Sequence, residues 1–272
     1  MQATGRDAKG RKQFRYHPRW TALRDADKYS RLIGFSQALP RIRRRVARDL
    51  RRQRLSQEKV IATVVKLLET TMVRVGNEEY ARQNGSYGLT TLRDRHARVH
   101  GSTVRLIFKG KTGKEVEAEV TDRRVARVVR QCQELPGQEL FAYVDADGER
   151  HTVSSHDVND YLRETTGEDF TAKDFRTWAG TVLAATALRE LEGFESEAEA
   201  KRNVVAAIDR VAKRLGNTRA VCRRAYVHPA VVDSYLDGSL DGQLAGSAVE
   251  SAVLSLLRRS FHKEVRRRQR AA

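Results

Sequence analysis

A mainly helical α+β fold with a small antiparallel sheet is predicted by three observations on this 272-residue chain. Amphipathic stretches with the helical period occur in both halves. Three helix starts carry a hydroxyl residue followed three positions later by an acid. Strict two-residue alternation is confined to one place, residues 97–120.

Residues 2–20 are polar and basic, with Gly5, Gly10 and Pro18, and read as a linker or arm with interleaved Phe14, Tyr16 and Trp20. Two helices are expected over 22–38 and 41–52, divided by Pro40, which removes a backbone donor and punctuates a helix. A third covers 57–73, with Val60, Ile61, Val64, Leu67, Leu68 and Thr71 on one face. Val104, Leu106 and Phe108 then alternate with polar neighbours, as do Val116, Ala118 and Val120 with Glu115, Glu117 and Glu119. Gly110–Gly113 between them is a turn signal, so the segment is a β-hairpin, joined by an earlier strand near 96–100. Helix starts follow at Thr171–Asp174, Ser196–Glu199 and Ser247–Glu250. The 197–215 helix turns Val204, Val205, Ile208, Val211 and Leu215 inward and stops at Gly216. Residues 237–246, with three glycines, read as a flexible loop. The last helix carries Val249, Ala252, Val253, Leu256, Leu257 and Phe261 on one face and ends in an arginine-rich tail.

The charge points to a polyanion. Lys plus Arg is 52 against 35 Asp plus Glu, a formal net charge of +17. Residues 1–54 hold 17 Lys/Arg and 4 Asp/Glu, residues 258–270 hold 7 and 1, and the remainder is close to neutral. An excess of this size at both ends marks nucleic acid as the first candidate partner and an anionic membrane as the second. Two cysteines, Cys132 and Cys222, cannot build a disulfide framework or a zinc site. The seven histidines follow no metal-ligand spacing, so no metal site is expected. No run approaches the length of a membrane span, and no signal-peptide core is visible. A reducing cytoplasm is the expected setting.

Phosphoryl transfer without a metal needs a nucleophile, cations for the non-bridging oxygens, a hydrogen-bond donor for the pentacoordinate state and an acid for the leaving oxygen. Tyr226, just behind Arg223 and Arg224, is a candidate nucleophile, because fixed positive charge favours a phenolate. Lys111 stands at the hairpin tip, Arg74 at the end of the 57–73 helix and Arg176 beside Phe175 and Trp178. Taken singly, each has an ordinary reading: an aromatic anchor, a solvated turn lysine, a cation matched to a helix dipole, and a surface ion pair with a neighbour such as Asp174.

Taken together, four segments resemble one family. Residues 73–96 (VRVGNEEYARQNGSYGLTTLRDRH), 108–115 (FKGKTGKE), 171–181 (TAKDFRTWAGT) and 216–229 (GNTRAVCRRAYVHP) are similar, in this order, to type IB DNA topoisomerases of the bacterial, poxvirus-like branch. The resemblance implies the catalytic-domain fold shared with tyrosine recombinases. It implies that Tyr226 attacks one strand of duplex DNA and forms a 3′-phosphotyrosyl bond. Arg74 and Arg176 neutralise the phosphate, Lys111 is the general acid, and Asn217 contacts a non-bridging oxygen. Strand cleavage and religation then relax supercoils with no cofactor, neither ATP nor metal. Gly10–Tyr16 (GRKQFRY) resembles a family segment that contacts DNA. The implied DNA contacts are Lys12, Gln13, Phe14, Tyr16, Tyr80, Lys173, Arg223 and Arg224. The expected division is a basic DNA-contacting arm over 1–20 and a catalytic domain over 21–272, without the family's N-terminal β-rich domain. A cytoplasmic, nucleoid-associated monomer is expected, with duplex DNA as partner and no membrane.

Residue 219 is Arg where the resemblance leads one to expect Pro, so the link from Asn217 to Tyr226 is expected to be loose. Two rivals compete. A tyrosine site-specific recombinase shares the chemistry but carries His-x-x-Arg where this chain has Lys173-x-x-Arg176. A non-catalytic basic DNA-binding protein fits the composition.

Overall fold

The computed structural model of the chain describes residues 2–6, 12–15, 17–111, 113–191, 193–244 and 248–271, with the backbone alone for residues 6, 12–15, 18–30, 264, 267, 268, 270 and 271. Among the described residues helices dominate, and three small antiparallel sheets accompany them.

The polar N-terminal segment, read as a linker or arm, contains two short strands. Strand β1 (Ala3–Arg6) pairs antiparallel with β2 (Lys12–Arg15). Helix α1 (Pro18–Asp49) follows, and it runs unbroken through Pro40. The proline withdraws one donor and costs roughly 3 kcal/mol in a helix interior. It lies on the exposed face, however. Leu32, Phe35, Leu39, Ile42 and Val46 form a buried stripe on both sides of it. Each such side chain contributes about 2 kcal/mol on burial, so the stripe outweighs the proline. Phe35 meets Phe170 and Phe175 edge-on at 5.5 and 5.0 Å.

Helix α2 (Gln57–Thr71) starts at the Ser56 N-cap and is the central buried helix. It ends at Met72, which adopts a left-handed conformation (φ 58°). Helix α3 (Glu78–Asn84) precedes the three-stranded sheet β3 (Ala97–His100), β4 (Thr103–Lys109) and β5 (Glu115–Thr121). The expected hairpin is present: Phe108 pairs with Val116, and Val104, Leu106 and Phe108 are buried. Helix α4 (Arg123–Gln133) covers this sheet, and a short pair β6 (Ala142–Val144) and β7 (Arg150–Thr152) lies beside α2.

The helical half comprises α5 (Ser155–Thr166), α6 (Ala172–Glu190), α7 (Glu197–Leu215), α8 (Arg219–Ala225), α9 (Pro229–Leu236), α10 (Leu240–Leu244) and α11 (Val249–Ala271). The Thr171 start is confirmed: the Asp174 carboxylate accepts from the Thr171 amide at 2.8 Å and from its hydroxyl at 3.0 Å. At Ser196 the hydroxyl accepts from the Glu199 amide at 3.2 Å. Ser247 lies outside the described residues. The predicted loop over 237–246 contains α10 instead, held by buried Leu240 and Leu244. Two predicted inward residues face solvent: Val205 is 36% and Phe261 43% exposed.

Helix α6 packs on α1, α2, α7, α9 and α11. Arg43 of α1 joins it to α11 by a bidentate pair with Glu250 at 2.8 Å, and Glu250 also accepts from the Trp178 indole at 3.3 Å. No helix among the described residues is long and apolar enough to cross a membrane.

Candidate active site

Arg74 is not at a helix end, as its sequence position suggested. It lies beyond the Met72 reversal, in an irregular segment that leads to Gly76. That segment is fixed by a second one crossing it. The Leu89 amide donates to the Arg74 carbonyl at 2.9 Å and the Thr90 amide to the Val75 carbonyl at 2.6 Å. The crossing requires glycine twice. Gly76 has φ 114°, and a Cβ on Gly88 would sit 2.6 Å from the Arg74 carbonyl oxygen. Backbone atoms cannot swing aside as a flexible side chain can, so this junction holds Arg74 firmly.

Asn217 arrives by an equivalent device. Helix α7 ends at left-handed Gly216, and the Asn217 amide returns to the Ala212 carbonyl at 3.0 Å. The Asn217 carbonyl oxygen Oδ1 then accepts from Arg74 Nη2 at 2.6 Å. Two residues 143 positions apart are thus in direct contact.

Arg176 comes from the second turn of α6 and is only 4% exposed. The surface ion pair with Asp174 does not form. One guanidinium nitrogen donates to the Met72 carbonyl and the other to the Leu215 carbonyl at 2.7 Å. Asp174 serves the helix start and accepts from Arg31 at 3.2 Å. Burial lowers the Arg176 pKa from its ordinary value, and the neighbouring Arg74 charge lowers it further, while Tyr226 opposes both. Arg remains a cation at working pH.

Tyr226 caps the C-terminus of α8, its amide donating to the Cys222 carbonyl at 2.9 Å. The Arg176 guanidinium carbon lies 5.2 Å from the centre of the Tyr226 ring. The segment between Asn217 and Tyr226, expected to be loose, forms helix α8. Arg219 opens α8 behind the Thr218 cap and is bound to Asp209 of α7 by two contacts of 2.6 Å. Cys222 is fully buried, and burial pushes its thiol pKa up, so it behaves as a small apolar residue.

Lys111 occupies the hairpin tip, where the Gly110 amide donates to the Lys114 carbonyl at 2.8 Å. Its backbone is held from the far side of the cleft. The Tyr80 hydroxyl donates to the Lys111 carbonyl at 3.1 Å, and the Lys111 ammonium lies 5.8 Å from the Tyr80 ring centre. This latch was not readable from the sequence, since the two residues are 31 positions apart.

Arg74, Tyr80, Lys111, Lys173, Arg176 and Tyr226 line one open cleft of about 650 Å³. A second cavity of about 180 Å³ shares Arg74, Lys111 and Arg176. Four of the five predicted catalytic residues therefore face a common space, and the fifth, Asn217, is bonded to one of them. Of the predicted DNA contacts, Tyr80 and exposed Lys173 line the cleft. Arg223 and Arg224 are exposed on α8 and do not line it. Lys12, Gln13 and Phe14 lie on β2, described as backbone only, and Tyr16 lies outside the described residues. Among the described residues no group of three or more His, Cys, Asp or Glu is placed to hold a metal ion.

Comparison with known proteins adds independent findings. A family profile described as the catalytic core of eukaryotic DNA topoisomerase I matches residues 12–241. The chain is 31% identical over 242 residues to the DNA topoisomerase 1B of Acanthamoeba polyphaga mimivirus, covering 86% of this chain and 72% of that protein. It is 24% identical over 186 residues to DNA topoisomerase 1 of Mycosarcoma maydis, covering 62% of this chain and 18% of that longer protein.

Proposed function

The chain belongs to the topoisomerase I catalytic-core family, and from that membership we propose how its cleft acts. The activity is that of a type IB DNA topoisomerase: relaxation of supercoiled duplex DNA by transient cleavage and religation of one strand. The observation that carries the mechanism is the convergence of Arg74, Lys111, Arg176 and Tyr226 on one cleft, with Asn217 bonded to Arg74.

The Tyr226 phenolic oxygen bonds to a backbone phosphorus, and its proton passes to solvent. The bond from phosphorus to the 5′-oxygen breaks. Arg74 and Arg176 neutralise charge growing on the non-bridging oxygens, and Asn217 donates its amide N–H to one of them. Arg74 and Asn217 already contact each other, so a phosphate entering between them exchanges one hydrogen bond for charge-assisted ones. Lys111 gives its proton to the departing 5′-oxygen. The tyrosyl ester conserves the phosphodiester, and the reversed sequence reseals the strand after rotation. DNA affinity comes chiefly from phosphate contacts by Lys173 and the basic segments and falls with salt.

Two finer readings belong to the same proposal. The resemblance of residues 73–96, 108–115, 171–181 and 216–229 favours the bacterial, poxvirus-like branch, and Lys173 in the Lys-x-x-Arg form favours a topoisomerase over a recombinase. The division into a DNA-contacting arm over 1–20 and a catalytic domain over 21–272, acting as a cytoplasmic, nucleoid-associated monomer, fits the charge distribution.

The expected result is relaxation of supercoiled plasmid in EDTA without ATP. Exchange between defined sites with no relaxation would instead identify a recombinase, and binding with no covalent product a passive binder. Lys111→Ala is expected to slow cleavage by about 10²–10⁴-fold on normal DNA. On a substrate with an activated 5′-thiol leaving group, which needs no acid, most of that loss should disappear. Equal loss on both substrates rules out the acid role.

A further inference from the structure

Helix α6 does more than deliver Arg176. One turn beyond it, Gly180 lies directly beneath the backbone of residue 226. A Cβ on Gly180 would sit 2.6 Å from the Tyr226 carbonyl oxygen, 3.1 Å from the Tyr226 Cβ and 3.3 Å from a Leu215 methyl. Real Cβ atoms do not approach backbone oxygen this closely, and the carbonyl cannot move without the residue that owns it. Gly180 lies within a regular helix and does not have a positive φ. Its lack of a side chain is therefore demanded by space and not by backbone conformation, against a helix propensity cost of about 1 kcal/mol.

The next residue closes the contact. Thr181 is fully buried. Its hydroxyl lies 3.3 Å from the Tyr226 carbonyl and 2.9 Å from the Thr177 carbonyl, both possible acceptors for its proton. The same oxygen accepts from the His228 amide at 3.1 Å. One side chain thus spans the turn from α8 into α9 on both sides of residue 227. The Cys222 carbonyl secures the amide of Tyr226 and the Thr181 hydroxyl that of His228, beside the Tyr226 carbonyl, while the ring lies 5.2 Å from Arg176 on the same helix.

We propose that Gly180 and Thr181 are positioning residues that fix the main chain of Tyr226 relative to Arg176, so that the phenol and the cation meet the same phosphate. This rests on the assignment of Tyr226 as the nucleophile. Gly180 sets how close α6 approaches, and Thr181 sets the direction in which the chain leaves residue 226. Neither touches DNA or the reacting atoms.

The test is single-turnover formation of covalent complex on a duplex substrate by the full chain. Duplex affinity and melting temperature are measured alongside. Gly180→Ala is expected to cut the cleavage rate by about 10²-fold, the loss that a misplacement near 1 Å produces. Thr181→Val is expected to lose about tenfold and Thr181→Ser to restore most of it, because serine keeps the hydroxyl. Duplex affinity should stay within about twofold in all three, since phosphate contacts elsewhere supply it. Cleavage at the wild-type rate in Gly180→Ala and Thr181→Val overturns the inference. So does a loss in Thr181→Val that Thr181→Ser fails to rescue, or one that follows the melting temperature and the affinity downward together. If Gly180→Ala does not fold, the Thr181 pair decides alone. Tyr226→Phe separates this inference from its premise. If Tyr226→Phe still traps DNA covalently, the nucleophile assignment falls and the positioning role with it. If Tyr226→Phe is inactive while the Gly180 and Thr181 variants cleave normally, only the positioning role falls.

Discussion

Tyr226→Phe is expected to lose covalent complex formation by at least about 10⁴-fold while binding duplex DNA as the parent does. The substitution removes one oxygen, and with it a hydrogen-bonding partner of Arg176, but keeps a half-buried ring whose centre lies 5.2 Å from that guanidinium. That contact survives in phenylalanine, so the fold and the cleft should be unchanged. The measurement is a denaturing gel after detergent quench of a reaction with labelled duplex, paired with a binding titration. A labelled protein–DNA adduct from the phenylalanine variant would transfer the nucleophile's role to another residue.

Arg176→Ala is the second large effect, and it should appear in two places. Removing a buried cation from the phosphate site is expected to cost about 10³-fold in cleavage. The same guanidinium satisfies the Met72 and Leu215 carbonyls, at the ends of α2 and α7. In the alanine variant the Met72 carbonyl loses its side-chain donor and the Leu215 carbonyl keeps only the long 3.5 Å contact from the Asn217 side-chain amide, at about 1–3 kcal/mol for each lost partner. A fall in unfolding free energy on the order of 3 kcal/mol should therefore accompany the catalytic loss. Arg176→Lys is expected to recover little of either, since one compact ammonium cannot reproduce the planar fork. An alanine variant that unfolds at the parent's urea concentration would show that the guanidinium does not tie these helices together.

The residues of the site were legible through the joint resemblance of four segments to one family, since each residue taken singly had an ordinary reading. Lys111 falls between two glycines of a hairpin turn, Arg176 follows a helix start marked by Thr171, and Asn217 follows the glycine that stops α7. Their meeting was not legible, because it depends on contacts such as Arg74 with Asn217 that span 143 positions. The errors have identifiable causes. Pro40 looked like a boundary because propensity speaks for the isolated helix, whereas the buried stripe around it decides the folded one. Arg74 looked like a helix-end cation because nothing in the sequence marks Met72, a non-glycine residue, as a left-handed cap. Strands of three or four residues, such as β6, β7, β1 and β2, are too short to display a period. Helix α10 was hidden by its glycine, yet Leu240 and Leu244 are four apart and share a buried face.

The carbonyls that grip Arg176 belong to the C-terminal ends of α2 and α7, where helix macrodipoles carry their negative pole. They offset part of the repulsion between Arg176 and Arg74, whose charge still lowers the Arg176 pKa. Sulfate or phosphate in the buffer should then raise the melting temperature of the free protein by relieving the remainder. The DNA phosphate enters a site already shaped for an anion, and part of the energy of its arrival remains available for bending the reacting linkage toward an in-line geometry.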